Sequence, residues 1–173
     1  MTSSDLLVDT FGRIPELVHD AIDGLTSDQL TIRLDADANS IAWLVWHLSR
    51  IADDHIAEVA GHPQVWMSGG WARRWRLPFD LDDTGYGHTA AQVAAVNGNR
   101  DLLRGYFDAV HEMAIRFVRR VTDSDLDRIV DERWNPRVTL GVRLVSVAGH
   151  SFEQAGQAAF IRGILERRVP GAC

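Results

Sequence analysis

The stretch VTLGVRLVSVAGHSFEQAGQAAFIRG, Val138 to Gly163, decides how the chain is read. Leu140, Leu144, Val147, Ala158 and Ile161 recur at three- and four-residue intervals, so they share one face of a helix and mark it as the buried one. His150 and Gln154 fall on that same face, where a core expects leucine. A long amphipathic helix from Thr139 to about Arg168 follows, with two polar groups one turn apart turned inward.

Working outward, the same periodicity appears three more times. Leu7, Phe11, Ile14, Val18, Ala21 and Leu25 predict a first helix, with N-cap candidates at Thr2 to Ser4 and an interruption at Pro15. A second helix is expected from Ser40 to Ala60, its face carrying Leu44, His47, Leu48, Ile51, His55 and Val59, with Gly61 at its end. A third is expected from Asn99 to Val121, turning Leu103, Tyr106, Val110, Met113, Phe117 and Val121 inward. Between the second and third lies His62 to Thr89, a breaker-rich segment holding Trp66, Trp71, Trp75, Phe79 and Tyr86. Its aromatic content predicts an ordered crossover packed over one end of the core, followed by a short helix at Ala90 to Val96. The segment up to Val138 reads as irregular, and no strand-like alternation is visible. The fold class expected is all-α, a four-helix bundle in one domain spanning residues 1–173.

The 173 residues are 46% hydrophobic and 24% charged, ordinary values for a globular domain. A net charge of −6 gives no footprint for nucleic acid or an anionic membrane, and one Arg73-Arg74-Trp75-Arg76 run is weak against it. The one cysteine, Cys173, is the last residue, which argues against a disulfide or a catalytic thiol and for a cytoplasmic setting. The N-terminus lacks a signal-peptide layout, and no apolar run reaches bilayer length.

Inward polar groups are how helical bundles build sites. His47 and His150 could each offer a ring nitrogen to a divalent metal, with Gln154 aimed at the same point. Against this stands a core role, in which each histidine is satisfied by hydrogen bonds. Strong local signatures such as H-E-x-x-H are missing. Asp54 shares the His47 edge about two turns away, roughly 10 Å along the axis, close enough only to line the same cleft. Asp53 reads as solvated, and His19 and His111 as half-buried structural residues. Trp46, Arg50 and Asp53 share the face opposite the core stripe, as a homodimer or partner contact would.

The stretch NSIAWLVWHLSRIADDH, Asn39 to His55, resembles the second-helix signature of the DinB-like superfamily, and Val138 to Gly163 resembles its fourth. LPFD at Leu77 to Asp80 and TGYGH at Thr84 to His88 are similar to one actinobacterial branch. The resemblance implies a four-helix bundle holding a divalent metal, zinc or nickel, between one side chain of helix two and a pair from helix four. It also implies thiol chemistry, as in mycothiol-dependent maleylpyruvate isomerase, with the metal activating a low-molecular-weight thiol such as mycothiol. The family usually carries His at the position of Gln154; here the His, His150, stands four residues earlier. The expected site is thus His47, His150 and Gln154 on the metal. Trp71, Phe79 and Tyr86 would wall a pocket for a small-molecule substrate, and Asp54 or His88 would move protons or orient the cofactor. The rival expectation is a non-catalytic bundle that binds a ligand or a partner.

Overall fold

The structure is a computed structural model describing residues 1–168, so Cys173 lies outside the described residues. The chain begins with α1 (Ser3–Gly12) and α2 (Ile14–Ile22), separated where Pro15 enters the first turn of α2 and cannot donate to the preceding helix. A short α3 (Ser27–Thr31) leads to α4 (Ile41–Ala60), opened by Ser40, whose side chain accepts from Trp43 N–H, and closed by Gly61 in the left-handed conformation at φ 69°. Short helices α5 (Val65–Ser68), α6 (Trp71–Trp75) and α7 (Ala90–Ala95) punctuate the connection to α8 (Arg100–Val118), capped by Asn99. The chain then runs through a hairpin of β1 (Ile129–Asp131) and β2 (Val138–Thr139) into α9 (Leu140–Arg168).

Packing centres on α4, which lies most extensively against α9 and then α8, while α2 lies against α9. His47 of α4 meets His150 of α9, and Arg143 of α9 meets His55 of α4, so the two helices run antiparallel. No helix among the described residues is long and apolar enough to cross a membrane.

Two expectations need correction. Residues 122–139 are not simply irregular. Thr122 caps a 3-10 turn at Asp123–Asp125, and β1 pairs antiparallel with β2, in strands too short for alternation to register. Asp131 secures this hairpin to α9: its carboxylate accepts from Arg133 and, at 2.9 Å, from Arg143, and the Arg133 hydrogen bonds hold its pKa far below the usual carboxylate range.

The second correction concerns α4. Trp46, Arg50 and Asp53 form no outer contact face; they are 1%, 0% and 0% exposed. The connecting segment folds across them. Asp53 accepts from the Val65 and Trp66 N–H groups at 2.7 and 2.6 Å, and from the Tyr106 hydroxyl at 2.9 Å. Arg50 donates to the Asp83 carbonyl at 3.1 Å, to Gln64 Oε1 at 2.8 Å and to the Tyr106 oxygen at 3.3 Å, and its guanidinium lies 5.1 Å from the Trp66 ring centre. A charged pair so placed satisfies orphan main-chain groups of a loop that would otherwise be buried without partners. Amphipathic periodicity shows one buried face, and it is silent about a loop that buries the other.

Candidate functional site

His47 sits two turns into α4, flanked by two structures. One turn earlier, Trp43 stacks on its ring, centroids 4.4 Å apart at 21°. On the other side, the Thr84 carbonyl lies 2.6 Å from Nδ1. A carbonyl only accepts, so Nδ1 carries the proton and Nε2 keeps its lone pair. Burial drives the His47 pKa down to about 4, against the pull of the Thr84 carbonyl and with smaller repulsion from His150. The ring is therefore neutral at pH 7.

The His150 ring, from α9, meets His47 edge to face with centroids 4.9 Å apart. Burial lowers its pKa as well, while Glu153 opposes that shift. His150 Nε2 is buried without a hydrogen-bond partner, and so is Gln154 Oε1 one turn along the same face. Burying such an atom unpaired costs about 1–3 kcal/mol. Among the described residues, three other buried polar atoms share this condition, at Trp46, Trp75 and Arg143, but those are donors only. The core role weighed for the histidines accounts for His47 Nδ1 and leaves His150 Nε2 and Gln154 Oε1 unexplained.

The remaining candidates separate. His88 is close to the pair: its Nδ1 accepts from the Trp43 indole N–H at 3.1 Å, and its Nε2 donates to the Asp83 carboxylate at 3.0 Å. Both nitrogens are engaged by side chains of the protein, and the His88 side chain is 3% exposed. Phe79 packs on the His88 ring at 4.6 Å and also lines a small cavity with Trp46, Trp66, Leu77 and Asp83, one that neither His47 nor His150 lines. Asp54 accepts from Gln64 Nε2 at 2.8 Å and lines a cleft of about 400 Å³ with His55, Glu58, His62 and Arg133, a cleft that neither His47 nor His150 lines. Trp71 lies against Tyr106 and Gly105 of α8, and Tyr86 is 91% exposed. Asp54, Trp71 and Tyr86 thus do not assemble around the imidazoles.

Sequence reasoning missed Trp43, Asp83, Thr84 and Gly85. Trp43 was legible, being four residues before His47 on the same helix face. Gly85 adopts φ +91°, and a Cβ there would stand 2.9 Å from both His47 Nδ1 and the Trp46 ring, so its backbone lies directly on the imidazole. Glycine in TGYGH signalled an unusual turn but not what it touched.

A groove of about 600 Å³ adjoins this part of α9, bounded by Asn39, Glu153, Gln157, Phe160 and the loop at Asp37. Among the described residues, no group of three or more His, Cys, Asp or Glu is arranged to hold a metal. The candidate donors are the two imidazoles in ring contact and, one helical turn from His150 on α9, the amide oxygen of Gln154.

The depressed histidine pKa values set an acid limit on stability. The unfolded chain binds a proton at His47 near pH 6.5, the folded chain only near 4. Stability from this group is thus complete above about pH 6.5 and is lost as the pH falls toward 4, on the order of 3 kcal/mol. His55, His111 and His150 shift in the same direction, each chiefly through burial. Urea denaturation of metal-free protein should show the midpoint dropping between pH 7 and 4.5; a flat profile would contradict the neutral buried imidazoles.

Comparison with known proteins agrees with this architecture. The DinB superfamily profile matches residues 10–158, and the chain belongs to that superfamily. A crystal structure of a conserved protein from Enterococcus faecalis superposes with a TM-score of 0.89 at 25% identity, covering 97% of this chain and 99% of that one. No curated protein matches the chain.

Proposed function

We propose that the protein is a divalent-metal-dependent enzyme of thiol transfer or thiol-assisted isomerisation, with His47, His150 and Gln154 holding the ion in a four-helix bundle. The observations that carry the reading are the ring contact of two neutral imidazoles and the unpartnered His150 Nε2 and Gln154 Oε1, one turn apart on α9. The ring centres lie 4.9 Å apart at 83°, close enough for one ion to reach a nitrogen of each ring through bonds of about 2.0–2.1 Å. Nitrogen-rich donors suit zinc or nickel, and the amide is the weakest of the three ligands.

When bound, the ion lowers the pKa of a coordinated thiol and supplies a thiolate near neutral pH. The chain's own residues supply the setting. The Thr84 carbonyl keeps the His47 proton on Nδ1, away from the donor nitrogen. Trp43 covers one face of the His47 ring and keeps water from it. A groove on the neighbouring face of α9, lined by Glu153, Gln157 and Phe160 though by none of the three proposed ligands, has room for a small-molecule substrate, with Glu153 and Gln157 to accept hydrogen bonds from hydroxyl or amino groups and Phe160 as an apolar wall. A low-molecular-weight thiol of the mycothiol type and a cytoplasmic setting belong to the same reading.

The test is catalytic. Protein loaded with zinc or nickel, mixed with mycothiol and an electrophile such as monobromobimane, should consume free thiol faster than metal alone. The same preparation should be assayed on maleylpyruvate for isomerisation. Chelation and His47→Ala should each return the rate to background. Equal rates with and without the protein, for both reactions and both metals, would refute the proposal.

A further inference from the structure

His88 has both ring nitrogens committed, and each commitment leads back to His47 by a different route. One route passes through the loop. His88 Nε2 donates to Asp83 Oδ1, which also accepts the Gly85 N–H at 2.7 Å. The residue between those two, Thr84, presents its carbonyl to His47 Nδ1. The His88 main-chain N–H closes the turn on the Gly85 carbonyl at 3.3 Å. Arg50, one turn beyond His47 on α4, holds the same loop from beneath through the Asp83 carbonyl. The other route passes through Trp43, whose indole N–H ends on His88 Nδ1 while its ring lies flat on His47.

We propose that His88 is a positioning residue: by tying Asp83 and Trp43 together, it holds the Thr84 carbonyl on His47 Nδ1 and so keeps His47 Nε2 free of its proton and fixed in direction. Free histidine favours the opposite tautomer, with the proton on Nε2, so the preference at His47 has to come from its surroundings. The Thr84 carbonyl is the group that supplies it, and an aimed carbonyl needs a rigid turn. The side chain of His88 is 3% exposed, which shields both links from competition by water. His88 touches no reacting atom in this scheme; its effect on any ligand of His47 is transmitted through the loop and the indole.

The inference rests on the metal reading only for its consequence, since the tautomer exists in metal-free protein. Two substitutions separate the two routes. In His88→Asn, the side-chain oxygen can still accept from Trp43, but the donor that reached Asp83 is gone. In His88→Gln, the amide N–H can still reach Asp83, but the acceptor for Trp43 is gone.

Long-range nitrogen–proton correlation spectra of the metal-free protein at pH 7 read the tautomer of each ring. Wild type should show His47 as the Nδ1–H form and His88 as the Nε2–H form. His88→Asn should redistribute the His47 proton over both nitrogens and weaken zinc binding, measured by calorimetry with zinc alone, by about 10–100-fold. His88→Gln should keep the His47 tautomer while the Trp43 indole proton shifts, with a smaller loss of zinc affinity. The His111 ring, which stacks on Phe107, serves as the internal control, and its spectrum should not move. Finding His47 as the Nε2–H form in wild type would overturn the inference, and this outcome needs no variant to fold. An unchanged tautomer and zinc affinity in His88→Asn would overturn it equally. Tautomers as stated with no zinc uptake by wild type would support the positioning role and refute the metal site.

Discussion

Replacing Asp53 with alanine should lower the unfolding free energy by about 3–5 kcal/mol, the largest loss expected from any single truncation in the connecting segment's anchor. Asp53 is 0% exposed and accepts three hydrogen bonds, two from main-chain N–H groups of α5 and one from Tyr106. Burial pushes its pKa up, and the Trp66 and Val65 N–H groups, Tyr106 and Arg50 oppose that push. Removing the carboxylate leaves Arg50, also 0% exposed, without its countercharge at 3.7 Å. Urea denaturation should show the loss, and near-ultraviolet circular dichroism should report disordered tryptophans, because Trp66 and Trp46 pack beside this network. A change below about 1 kcal/mol would mean that the pair is solvated and the segment is held by apolar contacts alone.

The second large effect concerns the donors. Gln154→His should tighten zinc binding by an order of magnitude or more, because imidazole is a better ligand than an amide oxygen for this ion. The position is 8% exposed and follows His150 by one helical turn, so a new imidazole emerges on the same face. His150→Ala should act in the opposite sense and abolish measurable binding, since a single imidazole and an amide remain. Gln154→Leu offers a control of similar bulk: removal of an unpartnered buried oxygen should raise metal-free stability even as zinc affinity falls. Equal affinity in all three variants would place any bound zinc elsewhere on the protein.

The long helices were legible because their signals are local. Ser40, Gly61 and Asn99 sit at helix ends as expected, and Pro15 separates α1 from α2. His47 and His150 stood out on apolar stripes, and the structure brings those two rings together. What stayed hidden depends on contacts between distant segments. Asp53 looks like any solvated carboxylate until the main chain of residues 65 and 66 is known to land on it. The Thr84 carbonyl carries no side-chain signature, so sequence cannot announce the group that sets the His47 tautomer. Asp54, Trp71 and Tyr86 were drawn toward the site by proximity in sequence and by composition, which do not fix direction. Asp54 turns to Gln64, Trp71 to Tyr106, and Tyr86 to solvent.

The chemistry proposed depends on one ion shared by the imidazoles of α4 and α9. Calorimetric titration of chelator-treated protein with zinc at pH 7 measures this directly. The account predicts one equivalent per chain in wild type, and no binding heat in His47→Ala or in His150→Ala. No heat with the wild-type protein, or an undiminished isotherm in the variant lacking both imidazoles, would contradict it.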